Sequence, residues 1–181
     1  MMLKKMLLPC TLAATVAMGA TLQAPPPAHG FANSAPSFQC MSCHPGPMQP
    51  EMIKLSNLPD SYRPGQTYTF TLKLDSTLES LGEQQGGFAI QASSGTMIIE
   101  DRTHTQIVDG ILTHTLEGSH RRSWSFSWQA PGESGPWWQF WRRPEPGPDV
   151  SITVMAVAAN GDYSAIGDEI GAAGVTLKSD R

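Results

Sequence analysis

The sequence predicts an all-β fold, a β-sandwich preceded by an irregular N-terminal arm. Three observations carry this. Composition is the first: of 181 residues, 17 are Gly and 15 are Pro, and only 15% are charged. Such a chain favours short strands joined by turns over a helical bundle. The second is strict alternation in two segments. Tyr68, Phe70, Leu72 and Leu74 alternate with Thr67, Thr69, Thr71 and Lys73, and Trp124, Phe126 and Trp128 alternate with Ser123, Ser125 and Ser127. A period of two places one side of each strand on a core. The third is the run of turn signals between such segments.

In order along the chain, residues 1–30 read as a cleaved export signal. Lys4 and Lys5 form a positive start, and residues 6–18 are uncharged and apolar, too short for a membrane span. Small residues at Ala17-Met18-Gly19 and Ala28-His29-Gly30 place cleavage between about residues 19 and 30. Cys10 would leave with the signal. Lys+Arg is 12 and Asp+Glu 16 in the full chain, so loss of Lys4 and Lys5 leaves 10 against 16, a net charge of about −6. That excess of acid argues against a nucleic-acid partner. No later apolar run could span a bilayer, so the expected mature chain has no transmembrane segment and is periplasmic or extracellular.

Residues 31–60 form the arm. Pro36, Pro45, Pro47, Pro50 and Pro59 forbid a long helix there. From 61 to 181 the chain reads as the sandwich. Arg63-Pro64-Gly65-Gln66 is a turn, and residues 67–74 are the first strand. Further strands are expected over 88–92, 96–100, 111–115, 123–129, 150–158 and 174–178. Residues 150–158 are apolar almost throughout, as in a strand buried on both sides. Asn160-Gly161 is a turn signal.

The chemistry-bearing segment is Cys40-Met41-Ser42-Cys43-His44. Two thiols at this spacing can each add to one vinyl group of a haem, and the adjoining His then stands under the iron. This predicts one covalent haem c on Cys40 and Cys43, with His44 as proximal iron ligand. Two other chemistries use a Cys pair. A redox-active CxxC sits at a helix N-terminus in a βαβ setting, which the sequence lacks. A zinc site needs further Cys or His ligands from elsewhere in the chain.

The sixth iron ligand in an electron carrier is commonly Met or His. Met41, Met48, Met52, His104, His114 and His120 are available, and spacing alone does not choose among them. Arg121-Arg122 and Arg142-Arg143 could pair with haem propionates or lie solvated. Asp162, Asp168 and Glu169 make an acidic loop whose spacing is not that of an EF-hand. No Ser-His-Asp order, phosphate loop or paired-carboxylate site stands out.

Several segments together resemble the bacterial choice-of-anchor V domain, a β-sandwich distantly similar to the Reeler domain of animal proteins. They are Cys40-Met41-Ser42-Cys43-His44, Tyr62-Arg63-Pro64-Gly65-Gln66-Thr67-Tyr68, Gly87-Phe88, His114-Thr115, Trp124-Ser125-Phe126-Ser127-Trp128-Gln129-Ala130-Pro131, and Ala158-Ala159-Asn160-Gly161-Asp162 with Gly167-Asp168. They occur in the family's order over about residues 38–170. The resemblance implies an immunoglobulin/Reeler-like sandwich and His114 as distal iron ligand, through the His-Thr pair that precedes the Trp-rich strand. Two features depart from the family. No terminal anchor is expected from the sequence, and Pro136-Trp137-Trp138-Gln139-Phe140-Trp141-Arg142-Arg143-Pro144 interrupts the expected strand. Those aromatics either cover the core in a long hairpin or form a patch for a redox partner.

These readings give an exported monohaem c-type cytochrome that exchanges electrons with redox partner proteins, an electron carrier and not a catalyst. The rival expectation is a secreted β-sandwich that binds or senses a ligand, with haem or a metal in support.

Overall fold

The computed structural model describes residues 40–132 and 147–180. The export signal expected over 1–30 and the aromatic stretch 136–144, with Arg142-Arg143, lie outside them. One helical turn, α1, covers Cys40–Cys43. The strands that follow are β1 Ile53–Ser56, β2 Ser61–Tyr62, β3 Thr67–Leu74, β4 Gly86–Ala92, β5 Thr96–Ile98, β6 Thr105–Val108, β7 Ile111–His114, β8 Ser123–Gln129, β9 Val150–Ala158 and β10 Glu169–Ser179. Turns of 3-10 helix occupy Pro50–Met52 and Glu117–His120.

Two sheets form a sandwich. One has the order β1-β3-β8-β5, the other β2-β10-β9-β4-β7-β6. The two clearest alternations in the sequence lie side by side, with Tyr68 opposite Trp128, Phe70 opposite Phe126 and Leu72 opposite Trp124. Their apolar sides turn inward and their hydroxyls pair outward, Thr69 with Ser127 at 2.6 Å and Thr71 with Ser125 at 2.9 Å. From the second sheet Phe88 meets Trp124 and Phe126, at ring separations of 4.7 and 5.6 Å. Leu112, Ile152, Val154, Ala156 and Leu177 complete the interior. Trp128 and Tyr62 close one end, and the Tyr62 hydroxyl donates to the Pro148 carbonyl at 2.6 Å.

The expected double burial of residues 150–158 holds over half the strand. Ser151 and Thr153 are exposed, but 154–158 are buried on both faces. Met155 and Val157 point away from the interior and are buried all the same.

Several boundaries differ from expectation. The sandwich starts at Ile53, inside the segment 31–60 assigned to the arm, because β1 pairs with β3. The surrounding prolines masked a four-residue alternation. The β6–β7 hairpin was also missed, although Asp109-Gly110 between two apolar pairs is a two-residue turn signal. Both residues have positive φ, 50° and 78°, as a type I′ turn needs. Asn160-Gly161 does not close a tight hairpin. It opens a longer loop, 159–168, and β10 begins at Glu169 instead of 174.

Phe126 is wholly buried. Phe126→Ala is expected to cost about 3–5 kcal/mol of unfolding free energy, while Ser123→Ala on the exposed side changes it by less than about 0.5. Urea titration of both variants checks this, and a loss under about 1 kcal/mol for Phe126→Ala would contradict the packing.

Candidate functional site

The motif builds its own turn. The His44 N–H donates to the Cys40 carbonyl at 2.9 Å, and Pro45 and Pro47 prevent the helix from continuing. Both cysteines are free thiols, Cys40 half-buried and Cys43 exposed. Burial raises the Cys40 pKa, and the neighbouring Cys43 adds to the shift. A thiol that resists ionisation is a poor nucleophile for disulfide exchange. Among the described residues, four-residue α1 has no βαβ unit around it.

The arm then docks on the sandwich. His44 Nδ1 lies 2.7 Å from Asp168 Oδ2, and the Asp168 side chain is only 3% exposed. A carboxylate in its ionised form only accepts, so this contact favours the tautomer with the proton on Nδ1. The other carboxylate oxygen accepts the Asn160 N–H at 2.9 Å. Asp168 thus closes loop 159–168, which is laced by side-chain-to-backbone bonds. Asn160 takes the Asp162 N–H, Asp162 the Ser164 N–H, and Ser164 the Ile166 N–H. Beyond His44, Met48 bridges to Ile170, and the Gln49 N–H donates to the Ile170 carbonyl at 2.7 Å. A Cβ on Gly46 would stand 3.0 Å from the Asp168 carbonyl, so only a small residue lets the arm run this close. His44 Nε2 has no hydrogen-bond partner among the described residues.

His114 ends β7 on the same end of the six-stranded sheet. Asp168 precedes β10, and the rows Glu169–Ala158–Gly86 and Ile170–Val157–Gly87 lead across β9 and β4 towards β7. Three strand spacings separate β10 from β7, about 14 Å. The His114 ring lies against Gly87, where a Cβ would come within 2.4 Å of Cε1 and 2.7 Å of Nε2. The ring also stands 6.1 Å from the core Phe88 ring. Nδ1 sits 3.1 Å from the Phe88 N–H and 3.3 Å from the Phe88 carbonyl. Burial pushes the His114 pKa down, partly offset by its hydrogen bond to the Phe88 backbone.

The other expected ligands are placed differently. His104 has both ring nitrogens engaged, Nδ1 by Asp101 at 2.5 Å and Nε2 by Arg121 at 2.7 Å. The His104 bond is the chief reason the Asp101 pKa is lowered. His120 is exposed at the end of its 3-10 turn. Met52 is 2% exposed within the interior, its thioether methyl beside Gly171, and so faces away from the motif. Met41 and Met48 are exposed. Neither Arg121 nor Arg122 is merely solvated. Arg122 donates to the carbonyls of Gln85, Ser76 and Ala159, at 2.9, 3.3 and 3.1 Å. Of the acidic loop, Glu169 accepts from Ser76 at 2.6 Å, while Asp162 and Asp168 serve the loop itself. Among the described residues, no three His, Cys, Asp or Glu side chains converge to hold a metal ion, and no helix is long and apolar enough to cross a membrane.

The residue that sequence reasoning missed as part of this site is Asp168. It lies 124 positions from His44, and no local pattern joins the two.

No protein-family model and no curated protein matches the sequence. Among solved structures the chain is similar to the Reelin-N domain of F-spondin, at 17% identity and a TM-score of 0.49, over 79% of this chain and 96% of that one. It is also similar to the human F-spondin reeler domain, at 18% identity and a TM-score of 0.47, over 74% of this chain and 93% of that one. Both likenesses are of fold.

The lowered pKa of His114 has a consequence for stability. The folded state favours the neutral ring more than the unfolded chain does, so the contribution is complete above the unfolded value of about 6.5 and is lost as pH falls through that value towards the folded pKa. The cofactor-free chain should therefore become easier to unfold below about pH 6.5. His114→Asn, whose side-chain oxygen can still take the Phe88 N–H, should flatten that dependence. Denaturation midpoints from pH 5 to 8 check it, and identical pH profiles for the two proteins would refute it.

Proposed function

We propose that this chain is an exported monohaem c-type cytochrome, an electron carrier with one covalently attached haem. The observation that carries the reading is the condition of the motif. Cys40 and Cys43 are free thiols on one turn, and the histidine that follows them is anchored through Nδ1 with Nε2 unengaged among the described residues. That donor set fits the group: two thiols for two vinyl carbons, and an imidazole lone pair for the metal. The raised pKa of Cys40 speaks against the dithiol-exchange reading of the same pair.

When bound, the haem supplies a one-electron couple at its iron, tuned by axial ligands, burial and hydrogen bonds. In this reading Cys40 and Cys43 fasten the cofactor and His44 is its proximal ligand. His114 is the distal ligand. Its support is a place at the same end of the same sheet, and burial that favours the neutral ring. Ligation through Nε2 requires the other tautomer from the one that accepts the Phe88 N–H at 3.1 Å: Nδ1 then carries the proton and donates to the Phe88 carbonyl, 3.3 Å away. Two imidazoles give a lower potential than imidazole with Met. Thioether attachment follows export, which agrees with the leader expected over 1–30 and a periplasmic or extracellular site of action. The partners are redox proteins of that compartment.

Expression in a host competent for cytochrome maturation should yield a polypeptide heavier by one haem, and Cys40→Ser with Cys43→Ser should abolish the gain. A bare polypeptide mass from the unaltered chain would sink the reading. His114→Ala should turn a low-spin optical spectrum high-spin. An unchanged spectrum removes His114 from the iron, and carbon monoxide uptake by the unaltered reduced protein would favour a ligand-binding module over a carrier.

A further inference from the structure

Asp168 is a carboxylate held behind the motif's histidine, and nothing in the cysteine motif itself calls for it. We propose that Asp168 is a positioning residue for His44: it fixes the ring in the tautomer with the proton on Nδ1 and, by its charge, lowers the reduction potential of the attached haem. The second half of this inference rests on the cytochrome reading, and the first does not.

The geometry is that of a built contact. His44 Nδ1 and Asp168 Oδ2 are 2.7 Å apart, within the range of a charge-assisted hydrogen bond. The aspartate side chain is 3% exposed against 31% for the histidine, so the carboxylate belongs to the sandwich and the imidazole is brought to it. Its second oxygen is taken by the Asn160 N–H, which sets the direction of the carboxylate plane. The backbone around it is fixed on both sides. Loop 159–168 is laced by its own side chains, and β10 begins at the next residue. Asp168 therefore cannot follow the arm, and the arm must come to it.

Two electrostatic effects act with the same sign. A carboxylate accepting the Nδ1 proton makes the imidazole more electron-donating at Nε2, as outer partners do for histidines on metals. A fixed negative charge out of water also favours the more positive iron state. Both stabilise the oxidised form over the reduced form. The contact also acts on geometry. With Nδ1 held, the ring can turn about only one hydrogen-bonded axis, and Nε2 presents its lone pair in one direction.

Two experiments separate this inference from the reading beneath it. On the full chain carrying Cys40→Ser and Cys43→Ser, nitrogen-15 NMR of the histidines, recorded at alkaline pH where imidazole rings are neutral, should show His44 protonated on Nδ1 and bare on Nε2. Asp168→Asn in that background should lose the preference. A His44 ring protonated on Nε2 in the parent would overturn the positioning role, whether or not the chain ever carries haem. On the haem-loaded protein, Asp168→Asn should leave the added haem mass in place and raise the reduction potential, with the larger rise in Asp168→Ala. A potential that is unmoved or lower in a variant that keeps its haem would overturn the tuning role while leaving the cytochrome reading intact. Absence of haem from the unaltered chain would instead remove the cytochrome reading and the tuning role together, leaving the NMR result to decide the tautomer.

Discussion

The constraint on which the structure depends is the aromatic seam between the sheets. β8 sends Trp124, Phe126 and Trp128 inward, and β3 sets Leu72, Phe70 and Tyr68 opposite them. Phe88 of the facing sheet lies across the seam and packs on Trp124 and Phe126. Burying aromatic surface of this extent dominates the energetics of a small sandwich. It also fixes the register of β4, because a slip of one residue would turn Phe88 to solvent. Phe88 is the residue whose backbone N–H meets His114. The core thus sets where the histidine on β7 can stand.

A second, polar constraint gathers the loops at that end. The Arg122 guanidinium holds the carbonyls of Ser76 and Gln85, at the two ends of the β3–β4 connection, and of Ala159, at the start of the β9–β10 loop. It follows directly on the Arg121 that caps His104. One of the three carbonyls precedes Asn160, whose N–H is held by Asp168. A single side chain therefore ties the loop that carries Asp168 to the entry of β4, where Gly86 and Gly87 lie. The sequence offered these two arginines as partners for a cofactor or for water. Their use is instead internal, and it explains how irregular loops are kept in order without a disulfide among the described residues.

What the sequence revealed and what it hid follow from the range of the interactions. Strands with strict alternation, 67–74 and 123–129, were legible because each residue's environment repeats every second position. The cysteine motif was legible because all its chemistry lies within five consecutive residues. β1 was hidden because its four residues sit among prolines that argue for irregular chain. β10 was drawn too short because Gly171 and Gly174 weaken its pattern, yet Gly171 is required where Gln49, Ile53 and Met52 crowd against the strand. Asp168 was visible as one acid among three and as part of the Gly167-Asp168 segment of the resemblance, but not as a partner of His44. Its role depends on a contact that no local spacing encodes.

The 124-residue separation of His44 and Asp168 also orders events in time. Arm and loop cannot meet until the hairpin of β9 and β10, near the end of the chain, has been threaded and paired. As the chain is synthesised the thiols emerge early, and the surface that receives them is formed late. Between those moments Cys40 and Cys43 are not yet held against the sandwich. The long loop closure thus separates a stage in which the arm is free from a later one in which it is seated.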